Sequence, residues 1–110
     1  MAGYFEVKSA AGGQFMFNLK AGNHEVILTS ERYVAKVSAL SGIASVKVNA
    51  PTDSRYERKT ASDTSPYFVL KAANGEVIGK SEMYSSTSAM ENGIASVKAN
   101  APEAVVKDLI

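Results

Sequence analysis

The stretch Gly42-Ile-Ala-Ser-Val-Lys-Val-Asn-Ala-Pro51 returns as Gly93-Ile-Ala-Ser-Val-Lys-Ala-Asn-Ala-Pro102, with one substitution and an offset of 51 positions. Working outward, the same offset aligns Phe17-Asn-Leu-Lys-Ala-Gly-Asn-His-Glu-Val-Ile-Leu-Thr-Ser-Glu-Arg-Tyr33 with Phe68-Val-Leu-Lys-Ala-Ala-Asn-Gly-Glu-Val-Ile-Gly-Lys-Ser-Glu-Met-Tyr84. Residues 5–51 recur as 56–102 without a gap, so the chain is one unit written twice. A fixed internal period constrains the architecture before any local reading. A unit of about 50 residues buries too little surface for comfortable stability, so the two copies are expected to share a core. The expected division is 2–51 and 52–103 for the repeats and 104–110 for a tail, all within one compact domain.

Each repeat opens with strands. Phe15, Phe17, Leu19 and Ala21 alternate with Met16, Asn18 and Lys20, the period of a half-buried strand, and Phe68, Leu70 and Ala72 repeat the inward set. Asn74-Gly75 signals a hairpin and Asn23-His24 a weaker form of it, with Val26–Leu28 and Val77–Ile78 as return strands. Tyr4–Lys8 and Tyr56–Lys59 read as strands ahead of each hairpin. A helix then follows in each copy: Ala39, Ile43, Val46 and Ala50 form one stripe, and Met90, Ile94, Val97 and Ala101 form its counterpart. Ser88 with Glu91 suits a capping box, and the first helix is expected to start at Val37 or Ser38. Both helices should stop at Asn-Ala-Pro. Ser41, Ala44, Ser45 and Val48, and Asn92, Ala95, Ser96 and Ala99, form small, uncharged opposite faces, for which contact between the two helices is one explanation. The tail Ala104–Ile110 is apolar enough to return as a strand. The expected fold is α+β: a tandem βββα(β) duplication forming one antiparallel sheet with two helices packed on it about a pseudo-two-fold axis.

Bulk properties exclude more than they assign. With 45% hydrophobic and 21% charged residues, the composition is that of a globular chain and not of a disordered one. Twelve basic and eleven acidic residues give +1, and cutting after Pro51 gives +2 and −1, so neither half is a basic arm. The absence of cysteine removes disulfides, thiolate catalysis and iron–sulfur ligation. The N-terminal residues lack the basic-then-apolar pattern of a secretory signal, and no apolar run reaches the ~20 residues of a membrane span. A cytoplasmic protein without membrane contact is expected.

Few residues carry candidate chemistry. His24 is the only histidine, and its counterpart is Gly75, so it reads as a turn residue. Without cysteine or a second histidine, no transition-metal site and no cofactor is expected. Ser45 and Ser96 lack the Gly-x-Ser-x-Gly elbow and a base, which removes the serine-hydrolase reading. Gly42 and Gly93 read as points of close approach. Glu31 with Tyr33, and Glu82 with Tyr84, form two equivalent acid–phenol pairs that could bind a ligand twice; the simpler reading is a solvated acid beside a tyrosine with a buried ring. Lys20 and Lys71 are expected to pair with Glu25 and Glu76 across each turn. Arg55-Tyr56-Glu57-Arg58-Lys59 combines three cations with an aromatic ring and is the nucleic-acid candidate. Met16, Asn18 and Lys20, with Tyr67, Val69 and Lys71, point away from the helices and form a partly apolar face suited to a protein contact.

The paired Leu-Lys-Ala-x-Asn-x-Glu-x-Ile hairpins, each followed by Ser-Glu-x-Tyr and Gly-Ile-Ala-Ser-Val-Lys-x-Asn-Ala, closely resemble the YegP-like family of small bacterial proteins. The resemblance spans residues 2–103. It implies β-β-β-α-β units joined in one sheet with the last strand of each unit exchanged. Arg55–Lys59 would then be the strand after the first helix and the tail its counterpart. It also implies a fused form of a dimer, hence a monomer. The sequence departs from a usually more polar stretch at Val34, Val37 and Leu40. The resemblance carries over no functional residues. The expected function is that of a non-catalytic binding or accessory protein whose sheet contacts another macromolecule, with nucleic-acid binding through Arg55–Lys59 as the alternative. An enzyme built on carboxylates and tyrosines alone is disfavoured.

Overall fold

The computed structural model describes residues 3–110. In the first repeat β1 (Tyr4–Ala10), β2 (Gln14–Lys20) and β3 (Val26–Thr29) lead to α1 (Lys36–Asn49). In the second, β4 (Tyr56–Thr60), β5 (Pro66–Lys71) and β6 (Val77–Lys80) lead to α2 (Thr87–Asn100), and β7 (Val105–Asp108) follows. All seven strands join one sheet in the order β4-β5-β6-β3-β2-β1-β7. Pairing is antiparallel from β4 to β1. The sheet becomes mixed at its far edge, where β7 lies parallel to β1 of the other repeat. The tail is thus a strand, and it crosses between units.

Both helices pack on one face of this sheet. Directly opposed residues on neighbouring strands share a face. The fully buried Phe5, Val7, Phe17, Leu19, Phe68 and Leu70 therefore mark the inward face. Against them sit the two stripes read from the sequence: Ala39, Ile43, Val46 and Ala50 from α1, and Met90, Ile94, Val97 and Ala101 from α2, all buried in one cluster. At the centre the repeats meet through one pair, Thr29 opposite Lys80. Leu28 fills the space over its own counterpart, Gly79, where a Cβ would stand 2.6 Å from the leucine side chain.

Local details depart from the sequence reading in four places. The hairpin turns are three-residue loops whose last residue is left-handed: His24 at φ 70° and Gly75 at φ 87°. Asn23 and Asn74 brace these turns by accepting from the Glu25 and Glu76 amides at 3.1 and 3.0 Å. The cap of α2 is Ser86, which accepts from the Ala89 amide at 3.0 Å, not Ser88. Helix α1 begins at Lys36 behind Ala35, which has no side chain to cap it. The two small-residue faces do not bring the helices together. Ser41, Ala44, Val48, Asn92, Ala95 and Ala99 are exposed, because each helix satisfies its apolar stripe on the sheet. Val34 and Val37 are also exposed, at 82% and 69%.

The copies hold different residues at one left-handed position and at one helix cap. Thr64 has φ 71° where its counterpart Gly13 has φ 72°, and Ala35 stands where the second copy has the capping Ser86. A β-branched residue in the left-handed region costs roughly 1–2 kcal/mol, and an N-cap serine contributes about 1 kcal/mol over alanine. Thr64→Gly and Ala35→Ser are each expected to stabilise the chain by about 1 kcal/mol. Urea unfolding measures both, and an unmoved midpoint in either variant would contradict the corresponding assignment.

Candidate functional site

The acid–phenol pairs are built into the core from the loops after β3 and β6. Ser30 and Ser81 directly follow these strands, each accepting from the amide of Phe17 or Phe68 at 2.9 Å and donating to the next carbonyl, that of Glu31 or Glu82. Tyr33 and Tyr84 then stack on Phe17 and Phe68 at 6.3 Å between ring centres. Their hydroxyls lie over Gly42 and Gly93, where a Cβ would come within 2.5 and 2.2 Å of the phenol oxygen. The glycines are points of close approach, as their spacing predicts, and what approaches is a tyrosine. Burial pushes both phenols above their ordinary range, assisted by Glu31 at Tyr33 and by Glu82 and Glu25 at Tyr84. They therefore stay protonated and pack as posts between helix and sheet. Beside Tyr84 a cleft of about 200 Å³ runs between the first hairpin and α2, with Glu25, Glu82 and Asn92 on its walls.

The remaining candidates hold structure together. His24 meets the Tyr4 hydroxyl through Nδ1 at 2.8 Å and fills a left-handed turn position. Ser45 and Ser96 receive the Asn49 and Asn100 amides in the last helical turns. Among the described residues, no group of three or more histidines or carboxylates is placed to hold a metal ion.

The structure divides the Arg55–Lys59 segment. The Arg55 Nε donates to Asn49 Oδ1 at 2.9 Å, and the buried Tyr56 hydroxyl donates to the Ala50 carbonyl at 2.7 Å. Arg58 reaches toward α2, where Glu91 takes it at 2.6 and 3.0 Å and Asp53 at 3.1 Å. Only Glu57 and Lys59 turn to the other face, since alternate residues of a strand face opposite ways. The hairpin lysines also differ from expectation. Lys20 pairs with Glu6 at 2.9 Å and Lys71 with Glu57 at 2.8 Å, because the inter-strand register brings in the preceding strand's glutamate instead of Glu25 or Glu76.

What the sequence reading caught only in part is the whole helix-free face. Register places Lys107, Glu6, Asn18, Thr29, Lys80, Val69 and Glu57 in one row across all seven strands. Lys8 opposite Met16, Lys20 opposite Tyr4, Lys59 opposite Tyr67 and Lys71 opposite Val77 share that face. It therefore carries six lysines and two glutamates, in a chain of formal charge +1. Among the described residues, Lys8, Lys80 and Lys107 form no ion pair within 4 Å. Two of these amines rest over rings instead, Lys107 at 4.1 Å from the Tyr4 centre and Lys80 at 5.1 Å from that of Tyr67. Asn18 and Val69 are buried in the middle of the row, Asn18 donating to Thr29 Oγ1 at 2.9 Å. A depression of about 260 Å³ opens where β3 and β6 diverge, lined by Thr29, Val77 and Lys80 and, at one side, by Glu31. The sequence signal was present as lysines alternating with inward apolar residues, but only the register adds the strands into one surface.

Two outcomes follow from this packing and pairing. Gly93→Ala is expected to destabilise the chain by about 1–3 kcal/mol through overpacking against Tyr84. The cost should shrink in a Tyr84→Ser background, and an equal cost in both backgrounds would remove the contact as its cause. Hydrogen bonds from Lys98 and Arg58 hold Asp53 low, Arg58 does the same for Glu91, Lys71 for Glu57 and Lys36 for Asp108. Because the folded values lie below the unfolded ones, the unfolded chain takes up more protons as pH falls. Stability should hold from neutral pH downward and decline below about pH 4. Arg58→Gln should flatten that decline in acid titration of the urea midpoint, and an unchanged profile would contradict it.

Comparison with known proteins agrees with this architecture. The model of a domain of unknown function, DUF1508, matches twice, at residues 10–57 and 61–108. A UPF0339 protein of Bordetella pertussis is 66% identical over 108 residues, covering 98% of this chain and 96% of its own. The UPF0339 protein YegP of Escherichia coli is 56% identical over 108 residues, covering 98% of each. The solution structure of a UPF0339 protein from Shewanella oneidensis superimposes with a TM-score of 0.93 at 51% identity, covering 99% of this chain and 92% of that one. That of Escherichia coli YegP gives 0.93 at 56% identity, covering 99% and 94%. With both repeats matched and relatives aligned end to end, the chain belongs to the DUF1508, or YegP-like, family.

Proposed function

We propose that this chain is a non-catalytic binding protein that contacts another macromolecule through the helix-free face of its sheet, and that the partner on this face is a polyanion. The observation that carries the reading is the charge on that face: six lysines and two glutamates there leave six basic and nine acidic residues for the rest of the chain. The acid–phenol pairs support no competing enzymatic reading, since both phenols are held protonated and packed over glycines. The duplicated elements of the face, Lys8 with Lys59 and Lys20 with Lys71, present similar charge on both halves of the sheet.

Retention on a heparin column tests this, heparin serving as a generic polyanion. The wild-type chain should be retained, and Lys80→Glu with Lys107→Glu should elute at clearly lower salt while melting normally, since both side chains are exposed. Lys47→Glu, on α1 and so on the opposite side of the sheet, should elute close to wild type. A wild-type chain that fails to bind, or equal elution of all three, would overturn the proposal.

A further inference from the structure

We infer that the polyanion is single-stranded nucleic acid, an assignment that rests on the binding role proposed above. The spacing of charge is the first argument. No two lysines stand directly opposite each other on this face; their cross-strand neighbours are Met16, Tyr4, Val26, Tyr67, Val77, Val69, Thr29 and Glu6. Amines are thus interleaved with rings and apolar side chains over a row that spans about 29 Å at the usual strand spacing. A single strand needs both kinds of group, cations along its backbone and flat or apolar surfaces under its bases.

The second argument is the pairing of amine with ring. Lys80 rests over Tyr67, and beside it lies the depression at the β3–β6 junction. When Lys80 moves to a phosphate it uncovers the ring, and the vacated face is available to a base. A heparin-like chain or an acidic peptide would engage the amines and leave the rings unused. A membrane surface would require bulky apolar groups to insert, and on this face both rings lie beneath amines. A duplex admits a helix or a two-stranded ribbon into its major groove, and this face is seven strands wide.

The third argument is asymmetry within the duplication. Tyr67 and Lys80 have Met16 and Thr29 as counterparts, so this ring-and-amine unit is not repeated at the equivalent positions of the first repeat, and the other one, Lys107 over Tyr4, has its ring buried. A bound strand should therefore depend more on Tyr67 than on Met16.

Fluorescence anisotropy of the full chain with a short labelled mixed-sequence oligonucleotide, as single strand and as duplex, tests the assignment beside vesicles of anionic lipid and polyglutamate. The single strand should bind more tightly than the duplex, the vesicles or polyglutamate. With about three unpaired amines engaged, its affinity should fall roughly 20-fold between about 50 and 200 mM salt. Tyr67→Ser should weaken single-strand binding at least about 5-fold while heparin elution stays put, Tyr67→Phe should retain it, and Met16→Ser should cost less. Binding to heparin without preference for the single strand, or an unaffected Tyr67→Ser variant, would overturn the nucleic-acid assignment and leave the polyanion reading standing. A chain that binds none of the probes would overturn both.

Discussion

Both helices lie on the same face of the sheet, and the side chains of seven strands are divided accordingly. The strands that cross the middle of the molecule place Phe17, Leu19, Phe68 and Leu70 under the helices. The opposite positions have no layer over them and must be polar or self-covering. Lysine suits this requirement because its methylene stem lies along apolar neighbours while its amine stays in water. Lys107 over Tyr4 and Lys80 over Tyr67 show the arrangement directly. The charged face is therefore the counterpart of the core, produced by the same alternation in the same strands.

The duplication supplies two equivalent units but only seven strands. Each unit calls for a strand before its hairpin and another after its helix, and between the repeats a single strand, β4, serves both. The far edge consequently gains β7 beside β1, whereas β4 has no such neighbour. That open edge carries Glu57, Arg58 and Lys59, charges of the kind that discourage further strand pairing. The axis itself also breaks the symmetry. Leu28 occupies the room left by Gly79, and two leucines at these equivalent positions would collide.

Much of this was legible in the chain. The repeat fixed the number and order of elements, and the two helical stripes named the buried positions correctly, because burial follows periodicity when one face has a core to meet. The misreadings share a cause. Turn type, the cap at Ser86 in place of Ser88, and the partners of Lys20 and Lys71 all depend on register or on backbone angles, which residue spacing alone does not determine. The Arg55–Lys59 run holds three cations in five residues, but alternation along β4 sends Arg58 to Glu91 and Lys59 to the other face. The helix-free face was visible as two triplets. Its sum needed Lys8, Lys59, Lys80 and Lys107 from four other strands.

Solvation explains why the uncovered face is polar, but it does not explain the sign. Glutamate or threonine would meet water as well as lysine, and the chain has acids to spend, since nine of its eleven lie elsewhere. Concentrating six amines on one face costs repulsion, and the placement limits that cost by setting each lysine across from an uncharged or acidic neighbour. The resulting field reaches only about 8 Å at physiological ionic strength, so it acts on what touches the sheet and not on distant charge. A surface of this kind concentrates anions at contact range. Its interleaved rings then favour the anions that also carry flat groups.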